Sequence, residues 1–141
     1  MHKLLPKMST RFSRRCFLSA TIATAAATTA SAMPMPRGKV TIVHHVFFWL
    51  KEPGNAEHVQ LLQQGLRTLA SIPQVKQLLV GVPASTEKRE VVDNSYQVSE
   101  LMYFDSLEDQ AAYQEHAVHK AFVEKYSHLW QRVVVYDMLV E

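Results

Sequence analysis

Disulfides are excluded by arithmetic, because the 141 residues include one cysteine, Cys16. Long apolar runs are missing too. Phe17 to Ala30 is an Ala/Thr stretch poor in Leu and Ile, too short and weak for a permanent span, so no stable membrane anchor is expected. The first 32 residues lack acidic side chains, while five of the fifteen basic ones (Lys3, Lys7, Arg11, Arg14, Arg15) sit there. The other 109 residues hold ten basic and thirteen acidic side chains, a net charge of −3. The overall +2 is thus a property of the N-terminal segment, and no nucleic-acid partner is expected from charge. Internal repeats are absent, and the only low-complexity stretch is N-terminal.

What is present begins with a leader. Ser13-Arg14-Arg15-Cys16-Phe17-Leu18-Ser19 resembles a twin-arginine export signal, and Ala30-Ser31-Ala32 is an A-x-A cleavage pattern. The expectation is a signal peptide over 1–32, a Pro-rich linker over 33–38 and one domain over 39–141, working in the periplasm or another extracytoplasmic space. Cleavage would remove Cys16, leaving no thiol nucleophile.

The domain alternates. Val40 to Lys51 reads as a strand, rich in β-branched and aromatic residues. Asn55 is placed to cap a helix running to about Ile72, where Pro73 stops it. Strands follow at Val75–Val82 and Tyr96–Asp105. Ser106-Leu-Glu-Asp109 opens a second helix with capping-box spacing, the helical pattern resumes after the His116/His119 stretch to about Trp130, and Arg132–Val140 is a last strand. The order β-α-β-β-α-β is the α+β, ferredoxin-like arrangement, with both helices on one sheet face. Strands one and four are nevertheless apolar on both faces. A large uncovered apolar face is uncommon on a monomer, so a homodimer with the two sheets face to face is expected, through a surface including Val46, Phe48 and Tyr136.

The candidate chemistry centres on Tyr113-Gln-Glu-His116-Ala-Val-His119-Lys-Ala-Phe122. At about 100° per residue, Phe122, Val123, Tyr126 and Trp130 fall within about 60° of His119. A histidine centred on an apolar stripe is either a satisfied core residue or a functional one. Glu100 poses the same question, since it shares a strand face with Val98, Met102 and Phe104. A carboxylate there must be paired, protonated or functional. The readings, in order, are partner to a histidine, solvation at a strand edge, and catalytic acid. His116 and His119 at i, i+3, with His44 and His45, also suggest a metal. Zinc needs three or four converging ligands, and no Cys or second acidic motif supplies them. No metal and no cofactor is expected.

Taken together, His45-Val-Phe-Phe-Trp-Leu-Lys51, Ile72-Pro73, Phe104-Asp-Ser-Leu-Glu108, Tyr113-x-x-His116-x-x-His119 and Val135-Tyr136-Asp137 resemble the stress-responsive A/B barrel (Dabb) domain of the dimeric α/β-barrel superfamily. The resemblance implies a two-sheet barrel at a dimer interface. Most members have no known activity. The family also includes plant polyketide cyclases of the olivetolic acid type, in which a histidine and a tyrosine form an acid/base pair. The matching residues are His119 and Tyr113, with His45 as the strand-one histidine. His116-Ala-Val-His119 lacks the usual proline, and Gly65 replaces a pocket tyrosine, so substrate identity does not carry over. The implied pocket is lined by Phe47, Trp49, Leu62, Gly65, Leu78, Glu100, Phe122 and Trp130.

Two functions remain open. One is cofactor-independent cyclase, isomerase or lyase chemistry, with His119 as general base and Tyr113 as hydrogen-bond donor to an enolate oxygen. The other is a module that binds a small apolar or aromatic ligand, or serves a stress response, without turnover.

Overall fold

The computed structural model describes residues 42–140. The expected signal peptide and linker lie outside the described residues. The elements are β1 (Ile42–Leu50), α1 (Ala56–Thr68), β2 (Gln77–Gly81), β3 (Val98–Phe104), α2 (Leu107–Glu115), α3 (Ala117–Tyr126) and β4 (Trp130–Leu139). Single 3₁₀ turns, Leu69–Ser71 and Ser127–Leu129, follow α1 and α3. The four strands form an antiparallel sheet in the order β2-β3-β1-β4. This is the ferredoxin-like α+β fold.

Local chemistry explains the element ends. The Asn55 side chain accepts from the backbone N–H groups of Glu57 and His58, at 3.1 and 3.2 Å, satisfying two orphan donors of α1. Ser106 does the same for Asp109 at the start of α2, at 3.1 Å. The helices cover one face of the sheet. Leu62, Leu66 and Leu69 are fully buried with Val98, Met102 and Phe104 of β3 and Phe48 and Leu50 of β1. Each contributes about 1.5–3 kcal/mol by leaving water.

One expectation is sharpened and one corrected. The second helix is not continuous: His116 has extended backbone, φ −66° and ψ 139°, and divides α2 from α3. Neither proline nor glycine marks the break. Its driving feature is the His116 ring, whose Nδ1 accepts from the Val118 N–H at 3.2 Å and caps α3. The sense of β1 is also inverted. Ile42, His44, Val46, Phe48 and Leu50 face the helices and are buried, whereas His45, Phe47 and Trp49 alternate to the other face and are only partly buried. Val46 and Phe48 therefore belong to the core and not to an outer docking face. Alternation fixes which residues share a face but not which face points inward, and both faces of β1 are apolar.

Candidate active site

Between β1, β4 and the α2–α3 elbow lies a cavity of about 120 Å³. Its polar side chains are His44, Glu100, Tyr113, Gln114 and His119; its apolar wall includes Val46, Phe48, Phe122 and Trp130. Val123, Val133 and Val135 also line it and are exposed, so it opens beside the edge strand β4.

The helix break builds this site. In an unbroken helix the Val118 N–H would bond the Gln114 carbonyl. Here it bonds the His116 ring instead, and Gln114 becomes one of the open carbonyls at the end of α2. His119 Nδ1 donates to that carbonyl oxygen at 3.0 Å. A carbonyl only accepts, so Nδ1 carries the proton and, in the neutral ring, Nε2 keeps the lone pair. Burial holds His119 below its ordinary pKa; the Gln114 bond acts against this, and the nearby His44 reinforces it. The ring is thus neutral at pH 7, with its basic nitrogen fixed.

Tyr113 lies against it, with ring centroids 4.6 Å apart and planes 43° apart. Only 1 % of Tyr113 is exposed. Burial, and then the Glu100 carboxyl, push its phenol far above the usual range. It therefore keeps its proton and serves as a donor. The His44 ring meets Tyr113 edge-on at 5.9 Å, and His44 Nδ1 bonds Asp137 Oδ1 at 2.6 Å. Asp137 sits opposite His44 in the β1–β4 register.

Glu100 is 3 % exposed and faces the helices from β3, opposite Val46 on one side and Val80 on the other. Burial raises its pKa to about 8. Its Oε2 is buried and has no hydrogen-bond partner among the described residues. The expected pairing with a histidine does not occur: His44 is bonded to Asp137 and His119 to the Gln114 carbonyl.

The sequence of residues 42–140 matches the family described as "Stress responsive A/B Barrel Domain". The chain belongs to this family. No curated protein sequence matches it. Among solved structures, the Dabb domain resembles a hydroxynitrile lyase from Passiflora edulis at 15% identity and TM-score 0.62, over 73% of this chain and 95% of that one. A Dabb family protein with a ferredoxin-like fold from Mesorhizobium loti aligns at 19% identity and TM-score 0.59, over 72% and 98%. A dimeric ferredoxin-like protein of unknown function from Thermobifida fusca aligns at 20% identity and TM-score 0.58, over 75% and 95%.

Of the residues singled out from the Dabb sequence, the structure brings His119, Tyr113, Glu100, Phe122 and Trp130 into one cavity. His45 is not among them. It lies on the outer face, its ring centroid 4.1 Å from that of Phe47 and tilted 37° to it, and the strand-one histidine of the cavity is His44. Phe47 and Trp49 also lie outside it, lining a separate outer-face depression with Asp93, Tyr96 and Tyr136. There Trp49 Nε1 donates to Ser95 Oγ at 2.9 Å, and the Arg132 guanidinium lies 4.2 Å above its ring. Leu62 and Leu78 pack in and against the core, and Gly65 lies under the Tyr126 ring. His116 Nδ1 is engaged in its cap, His119 Nδ1 is engaged by the Gln114 carbonyl, and His116 does not line the cavity. Asp137 carries no role in the sequence reading beyond the Val135-Tyr136-Asp137 motif, although a signal is present: it is the lone acid in the apolar stretch Val133–Val140.

Proposed function

We propose that the cavity is the active site of a cofactor-independent acid–base enzyme of the cyclase, isomerase or lyase type. The observation that carries this reading is the His119–Gln114 bond. It fixes Nε2 as the basic nitrogen beside a phenol that burial keeps protonated. His119 Nε2 takes a proton from a carbon next to a carbonyl, or from the hydroxyl of a cyanohydrin-type substrate as its C–C bond to the nitrile breaks, leaving a carbonyl compound and cyanide, which departs with that proton. In the first case Tyr113 donates to the oxygen that gains negative charge, the position where preorganised donors act most strongly. Kinship of fold with a hydroxynitrile lyase supports a lyase as one form of this chemistry. The cavity volume is of the order that holds one aromatic ring, which points to a small apolar or aromatic substrate.

The test is turnover of a panel of small aromatic cyanohydrins and enolisable ketones. His119→Ala should lower the rate about 10²–10⁴-fold with folding intact. Because burial depresses the His119 pKa, wild-type activity should persist below pH 6.5 before acid abolishes it. An unchanged rate in His119→Ala would sink the assignment. Saturable binding without turnover by the wild type would instead make the domain a binding module.

The assembly reading is a homodimer formed through the outer sheet face. It is supported by the exposed, outward-facing Tyr136 and Met138 of β4 and by solved structures of similar fold described as dimeric. The leader reading is export by the twin-arginine route. Replacing Arg14 and Arg15 by Lys should hold precursor in the cytoplasm, and undiminished export would end that idea.

A further inference from the structure

Glu100 is the cavity group that the acid–base reading leaves unused. It is buried in the wall, and none of the residues lining the cavity is a lysine or arginine that could neutralise it. Each cavity histidine is bonded elsewhere through Nδ1, and neither ring bonds the buried Glu100 Oε2. Burying a carboxyl without a partner costs stability, and mutation to a well-packed apolar side chain commonly recovers it. Nothing in the packing around Val46 and Val80 requires an acid at this point of the sheet.

We infer that Glu100 is the substrate-anchoring group of this cavity, and that it selects uncharged molecules presenting a hydroxyl or carbonyl oxygen on a single apolar or aromatic body. Its unpartnered Oε2 supplies the contact. A protonated carboxyl has one O–H donor and further acceptor capacity, so it matches a hydroxyl or a carbonyl equally well. Burial favours that protonated form. The apolar wall of Phe48, Phe122 and Trp130 takes the remainder of the molecule. A carboxylate substrate is rejected, because it would bury a charge in an apolar cavity whose lining holds no lysine or arginine. The inference rests on the reading of this cavity as the substrate site, but not on catalysis occurring there.

Equilibrium binding of four matched probes tests it: benzyl alcohol, toluene, benzylamine and benzoate, followed by NMR through the His119 ring signals. The wild type should bind benzyl alcohol at least about tenfold more tightly than toluene, since a buried polar group left unpaired opposes the hydrocarbon. Benzoate should not bind measurably. Glu100→Gln should retain the preference for the alcohol. Glu100→Met, similar in shape and apolar, should stay folded, show an equal or higher Tm, and bind toluene at least as well as the alcohol. The inference is overturned if Glu100→Met keeps the wild-type preference or does not fold. It is equally overturned if benzylamine is the tightest ligand of the wild type, which would mark a carboxylate reserved for a cation, or if no probe binds. These measurements need no turnover, so they can succeed where the His119→Ala rate comparison fails, and the reverse.

Discussion

His44 and Asp137 stand 93 residues apart in the chain and meet through a 2.6 Å hydrogen bond between His44 Nδ1 and Asp137 Oδ1. The carboxylate accepts, so in the neutral ring it holds the proton on Nδ1 and leaves Nε2 as an acceptor. Asp137→Ala should release this constraint, and ¹⁵N NMR of the ring nitrogens should then show a mixture of tautomers. Asp137→Asn gives a sharper outcome, since its amide can donate to Nδ1 and move the proton to Nε2. Identical ring-nitrogen shifts in all three proteins would mean that Asp137 does not set the tautomer.

Glu100 links the cavity to stability. Its folded pKa of about 8 lies above its ordinary 4.5, so between these values the folded protein holds a proton that the unfolded chain has released. Its contribution is fully present below pH 4.5 and is lost as pH rises through about 8. Urea unfolding should therefore show wild-type stability falling with pH, by at most about 1.4 kcal/mol per unit from this group. The window above pH 6.5 reads it best, because the depressed pKa values of His119 and His45 act with the opposite sign below that pH. Glu100→Gln should abolish the slope. A Glu100→Gln protein with the same pH profile as wild type would assign the slope to another group.

Sequence pattern carried the element order, the caps at Asn55 and Ser106, and the inward placement of Glu100, because each rests on local chemistry or strict alternation. It could not orient β1. His44 and His45 are adjacent, both faces of the strand are apolar, and what selects His44 is Asp137, brought in by the β1–β4 register. The break at His116 was legible only as a helical pattern that resumes after the His116/His119 stretch, since a histidine ring used as a helix cap leaves no compositional mark. That break frees the Gln114 carbonyl for His119, so the feature hardest to read is the one that fixes the basic nitrogen. Glu100 was legible as an anomaly, but its lack of a partner is a fact of three-dimensional packing.

Gly65 illustrates the same limit. Set beside the cyclases of the family, it implies the loss of a pocket side chain; in the fold, it admits the Tyr126 ring. A Cβ added there would lie 2.6 Å from Tyr126 Cε2, inside contact distance. Alanine should favour α1 by about 0.8–1 kcal/mol through helix propensity, whereas overpacking against a buried ring costs about 1–3 kcal/mol. Gly65→Ala should therefore lower stability on balance, and adding Tyr126→Leu should relieve the clash. Denaturant midpoints of the two proteins decide this. A Gly65→Ala protein more stable than wild type would show that Tyr126 can move aside.

The proposed dimer has its own test, and the inversion of β1 changes which residues probe it. A row of outward-facing residues, Leu79, Leu101, His45 and Tyr136, runs across all four strands in register. Tyr136 is 64 % exposed and Met138 55 %, and no helix among the described residues covers them. Covering one such aromatic side chain fully is worth about 1.5–3 kcal/mol, and each counts twice across a two-fold axis. Tyr136→Asp should therefore give a folded monomer by light scattering at micromolar concentration, where the wild type should scatter as a dimer. Phe48→Asp should instead unfold the subunit, because that ring is 3 % exposed and packs on Trp130 at 5.2 Å inside the core. The two variants thus separate loss of assembly from loss of fold. A wild type that scatters as a monomer, with Tyr136→Asp indistinguishable from it, would leave the outer face without the partner assigned to it.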